Sequence, residues 1–91
     1  MSQQETLRKE PLEFDYAKNM LLESNVIDIV NFFDVYEFPA SVFKDQEIIN
    51  HIKALLEETK EMISDCKKHN MQIDQDTKNF IALAREKFGL E

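Results

Sequence analysis

One cysteine, one glycine, two prolines and no tryptophan stand among 91 residues, and each scarcity closes a route. A single thiol cannot form an intramolecular disulfide, so no covalent framework supports a core near the small end of what holds together unaided. With one glycine there is no Gly-rich loop to cradle a phosphate. Glycine and proline this rare also exclude a turn-rich β sandwich and a flexible linker. Positive charge is short as well. Eleven Lys and Arg against eighteen Asp and Glu leave a formal charge of −7 and a pI near 4.8. Without surplus cations to displace counterions, direct binding to DNA or RNA phosphates is not expected, nor is adsorption to an anionic membrane. No apolar run approaches the roughly 20 residues that span a bilayer, and the opening MSQQETLRKE lacks the apolar stretch of a secretory signal. A cytoplasmic location is the expectation, and the lone thiol agrees with a reducing compartment.

What is present is helical periodicity. The hydrophobic fraction is 43%, ordinary for a globular domain, and its residues recur mostly at steps of three and four. The longest unbroken pattern is 45–69, DQEIINHIKALLEETKEMISDCKKH. Ile48, Ile49, Ile52, Leu55, Leu56, Met62, Ile63 and Cys66 fall on one stripe of a helix about 36 Å long. Asp45 is suited to accept a hydrogen bond from the first-turn amides, and Glu47 adds negative charge where the helix dipole is positive. Lys67, Lys68 and His69 complement the other end, and Asn70 tolerates the left-handed conformation that stops a helix. A stripe of this length needs partners, because isolated helices are marginal in water.

The rest of the chain must supply them, or a second molecule must. Residues 1–10 read as a flexible N-terminal arm in which Ser2 and Glu5 have capping-box spacing. Pro11 suits the first turn of helix one, with Leu12, Phe14, Tyr16, Ala17, Met20, Leu21 and Leu22 following. The pattern loses register at Ser24 and Asn25, both good N-caps, so the chain is expected to turn and restart there. One continuous helix over 12–37 is the competing reading. Helix two, VIDIVNFFDVYE, carries Asp28, Asn31, Asp34 and Glu37 on one half of its circumference. Val26, Ile29, Val30, Phe32, Phe33 and Tyr36 occupy the other half, and Ile27 and Val35 are left among the acids. Pro39 should end this helix by Glu37 or Phe38, and Val42 and Phe43 in the SVFK turn should plug one end of the core. A fourth helix, capped by Asp74 or Asp76, presents Thr77, Phe80, Ile81, Ala84 and Phe88, with Gly89 at its C-terminus. Leu90 and Glu91 are set aside as a potential tag remnant. The fold class is all-α: a small antiparallel bundle of three to four helices in one domain over 11–89, organised by a long third helix.

Motifs that carry chemistry do not assemble. Cys66 and His69 share a helix face near Asp65, but a structural zinc site takes four ligands. Because Cys66 also continues the apolar stripe, it reads as a buried, unreactive thiol. His51 lies beside the stripe with no catalytic companion. Glu57, Glu58, Glu61 and Asp65 alternate with lysines as a solvated face does. Asp74, Asp76 and Lys78 begin like a calcium loop, then lack its central glycine and terminal glutamate. The expectation is a protein that is not an enzyme, with no catalytic, metal or cofactor-binding residues.

Charge distribution is the functional clue. Over 25–47 five acids face Lys44 alone, a net −4, whereas four acids balance four lysines over 48–70. The most acidic segment is also the richest in aromatics, a combination suited to steering a basic partner and anchoring it. The expected role is a binding or regulatory domain, such as an adaptor, inhibitor or subunit, that docks on a larger protein. Asp28, Phe32, Asp34, Val35 and Tyr36 are the partner-binding residues, and the partner's surface is basic. Mimicry of nucleic acid charge is a special case. The alternative is a homodimer joined through the third helix. An enzyme using Cys66 or the third-helix carboxylates is the remaining, disfavoured reading.

Overall fold

The computed structural model describes residues 9–90. In chain order the elements are β1 (Glu10–Pro11), α1 (Phe14–Leu22), α2 (Val26–Val35), β2 (Tyr36–Glu37), a 3-10 turn (Ala40–Lys44), α3 (Gln46–Lys68) and α4 (Gln75–Phe88). The fold is a small all-α bundle, with a single parallel ladder of two residues per strand among the described residues.

Local chemistry sets the helix boundaries. Between α1 and α2 the Ser24 amide turns back to the Leu21 carbonyl at 3.3 Å. Asn25 then takes an extended conformation, and its side chain accepts the Asp28 amide at 2.9 Å. That cap starts a new helix, so α1 and α2 are separate. Asp45 caps α3 by accepting the Ile48 amide at 3.0 Å, and Asp74 caps α4 by accepting the Thr77 amide at 2.9 Å. At the end of α3, Asn70 sits in the left-handed region with φ +57°. Its amide donates to the Lys67 carbonyl and the Met71 amide to the Cys66 carbonyl, at 3.3 and 2.8 Å. This is a Schellman motif with asparagine where glycine is commoner. Gly89, φ +68°, ends α4, and its amide and that of Leu90 both reach the Ala84 carbonyl.

The start of the chain departs from expectation. Pro11 lies in β1, and α1 begins three residues later at Phe14. Glu10 pairs with Tyr36 and Pro11 with Glu37, and the Leu12 amide donates to the Glu37 carbonyl at 3.0 Å. Proline fits an edge strand because its missing amide hydrogen leaves no ladder bond unmade there. Lys9 donates from Nζ to the Phe33 carbonyl at 2.8 Å, placing a cation on the last turn of α2. Lys9 and Glu10 are therefore tied to the domain. The proposed capping pair Ser2 and Glu5, with the rest of residues 1–8, lies outside the described residues, as does Glu91.

Every helix contributes to one core. Ala17 and Leu21 come from α1, Ile29, Val30 and Phe33 from α2, Ile48, Ile52 and Leu56 from α3, and Phe80 and Ala84 from α4. Val42 and Phe38 join from the connection between α2 and α3. α2 packs most extensively on α4, which accounts for its high content of apolar residues. One end of the core is aromatic. Phe33 stacks on Phe38 with ring centroids 4.3 Å apart, and Phe43 and Phe88 meet edge to face at 5.1 Å. Leu90 packs against this core too. The stripe of α3 is unevenly used, since Ile48, Ile52, Leu56 and Thr59 are buried and no residue beyond Thr59 is.

Candidate functional site

At 100° per residue, Asp34, Ile27, Asn31, Val35 and Asp28 occupy about one third of the circumference of α2. All five are exposed. Two of them are large and apolar, Ile27 at 50% exposure and Val35 at 55%. Asp28 and Asp34 have no ion-pair partner among the described residues. This arc faces outward because Ile29, Val30 and Phe33 on the opposite side are taken by the core.

Phe32 and Tyr36, expected in the same surface, occupy its border. Both are half-buried and packed against the core, with their rings 6.2 Å apart. Of the five residues named from sequence, Asp28, Asp34 and Val35 share the exposed arc, and the two aromatics support it from the side. Ile27 is the member that sequence reasoning left out. Its signal was an isoleucine standing among acids, out of phase with the apolar half.

The concentration of negative charge over 25–47 is partly neutralised in three dimensions. Lys18 of α1 bridges Asp45 at 3.1 Å and Glu47 at 3.0 Å, and its Nζ lies 5.9 Å from the Phe14 ring centroid. Hydrogen bonds to Glu47 and then Asp45 raise the Lys18 pKa above its ordinary value. The Ile48 amide, more than Lys18, holds the Asp45 carboxyl below the usual aspartate value. The Asp74 carboxyl is likewise lowered by the Thr77 hydroxyl and amide. With Asp45 and Glu47 engaged, Asp28, Asp34 and Glu37 carry the remaining acidity of that segment.

Beside the first turn of α2 lies an open cleft of about 400 Å³. α2 contributes Val26 and Ile27, with Asn25 before them; α3 contributes Leu55, Glu58, Thr59 and Met62; α4 contributes Thr77, with Asp74 before it. Met62 is 47% exposed. The cleft exists because α3 continues past the last residue it buries, while α2 and α4 both begin there.

The residues weighed for chemistry are dispersed. Among the described residues no three His, Cys, Asp or Glu side chains are grouped as a metal site needs. Cys66 is half-buried, a correction to the buried thiol expected from its place in the stripe. The reason is that α3 buries no side chain beyond Thr59. His69 is exposed, and half-buried His51 has Nε2 3.5 Å from the Ser24 carbonyl oxygen. Comparison with family models, curated proteins and solved structures finds no match to this chain.

Proposed function

We propose that this protein is a non-catalytic binding or regulatory module of the cytoplasm, an adaptor, inhibitor or subunit that docks on a larger protein through the exposed arc of α2. The observation that supports this reading is Ile27 and Val35 standing half-exposed on one helix face beside the carboxylates of Asp28 and Asp34, which have no ion-pair partner among the described residues. Apolar area with a polar rim is the anatomy of a recognition surface. The rim is negative, so the matching surface is basic, and opposite charge steers the encounter.

The test is capture from the native cell by wild type and by an Asp28→Lys, Asp34→Lys variant side by side. The expected result is a protein retained by wild type and lost by the variant, with association that slows as salt rises. Equal retention by both would end the charge-steered reading. A second reading, a homodimer through α3, draws on the unburied end of that helix and the exposure of Met62. Sedimentation at high micromolar concentration decides it, since an obligate dimer leaves no monomer there.

A further inference from the structure

The exposed arc of α2 is too small to be a whole interface. Ten residues of helix make a ridge about 15 Å long and about 10 Å across, whereas each partner in a stable complex contributes about 800 Å². Docking through α2 therefore extends onto neighbouring surface, and Ile27 belongs both to the arc and to the cleft between α2, α3 and α4.

The chemistry of that cleft selects its occupant. Val26, Ile27, Leu55 and Met62 make its apolar walls. Thr59 and Thr77 are 3% and 4% exposed, and their hydroxyls are spent internally. Thr59 donates to the Leu55 carbonyl at 2.8 Å, and Thr77 bonds to Asp74. The Asn25 side-chain oxygen accepts the Asp28 amide. Among the described residues no buried side-chain nitrogen or oxygen lacks a partner, so a sugar or nucleotide would find no waiting group on the floor. Among the described residues, the ionisable side chains that line the cleft are Glu58 and Asp74, with no Lys, Arg or His. Apolar walls under an acidic rim match an apolar side chain flanked by cations, and they repel a second copy of this chain, whose charge is −7.

We infer that this cleft seats an amphipathic, basic helical segment of the protein partner, with an apolar anchor between Ile27 and Met62 and Lys or Arg residues over Glu58 and Asp74. The inference rests on the docking reading above and adds to it the place and chemistry of the anchor. A helix lying in a groove with apolar anchors at one-turn spacing is a common recognition mode.

The experiment uses the full chain, labelled for amide NMR, and a synthetic amphipathic peptide of Leu and Lys at helical spacing. A scrambled peptide of the same composition and a Leu–Glu peptide serve as controls. Expected are shifts centred on Ile27, Leu55, Met62 and Thr77 with the first peptide alone, and affinity falling about tenfold or more from low to high salt. Met62→Arg, at an exposed position, should weaken binding about tenfold, while Met62→Leu should retain it. Shifts that map elsewhere, equal binding of the scrambled peptide, or unchanged binding by Met62→Arg overturns the inference. So do cleft shifts that grow with protein concentration in the absence of peptide, which would identify a second copy as the occupant. Cell capture separates the two readings: a partner retained by Met62→Arg but lost by the Asp28→Lys, Asp34→Lys variant overturns the cleft alone. A partner retained by both overturns the cleft and the α2 docking reading together.

Discussion

Single residues at the helix ends hold much of the local specification. Asn70 and Gly89 both occupy left-handed backbone, at φ +57° and +68°, a conformation that costs most L-residues about 1–2 kcal/mol. Asn70→Gly should raise stability by up to about 1 kcal/mol and Asn70→Ala should lower it by a similar amount. Gly89→Ala should destabilise although nothing lies within 4 Å of the added Cβ, because the penalty is conformational. Urea denaturation of the three variants measures each effect. The capping aspartates add a pH dependence. Asp45 and Asp74 titrate below the ordinary 3.8 in the folded chain, so the unfolded chain takes up their protons first as the pH falls. Their contribution is complete above that ordinary value and fades as the pH drops through the lower folded values. An Asp45→Ala, Asp74→Ala double variant should show a shallower acid limb in its plot of urea midpoint against pH. Asp45→Asn should lose less than Asp45→Ala, since asparagine keeps the cap while giving up the ion pair with Lys18.

At the scale of elements, signals carried by neighbours in sequence were legible, and pairings across the fold were not. The caps at Asp45 and Asp74, the stops at Asn70 and Gly89, and the break at Asn25 each depend on residues within a few positions, and the apolar stripe of α4 follows from its spacing. The ladder of Glu10 and Pro11 with Tyr36 and Glu37 joins segments 26 residues apart, and two-residue strands leave no alternation to read. The bridges from Lys18 to Asp45 and Glu47 likewise cross between elements. For the same reason the exposed face of α2 was half visible: its acids stood out, while the inward lean of Phe32 and Tyr36 depends on where the core lies. The cleft has no signature in any one segment because three elements form it. The buried part of the α3 stripe yields a direct prediction. Ile52→Ala, at a fully buried position, should cost about 2–5 kcal/mol, and Ile63→Ala, in the half-buried stretch, distinctly less. Thermal or urea unfolding of the pair checks the order.

For the whole molecule, net charge and thin coverage govern behaviour together. With a formal charge of −7 on 91 residues, self-repulsion should outweigh attraction at low ionic strength. Added sodium chloride should therefore raise the melting temperature until screening is complete. A melting temperature that falls with salt would show that favourable pairing dominates instead. Reducing agent should leave the monomer's melting temperature unchanged, because one cysteine offers no internal crosslink to break.

The uneven burial of α3 also has a consequence in time. Its first three turns are clamped by Ile48, Ile52 and Leu56, whereas the turns after Thr59 hold no fully covered side chain. In deuterium exchange, the amides of 62–68 should open by unwinding from the free end, while those around Ile52 should wait for the entire domain to come apart. The molecule would then carry a stiff half and a yielding half on a single rod.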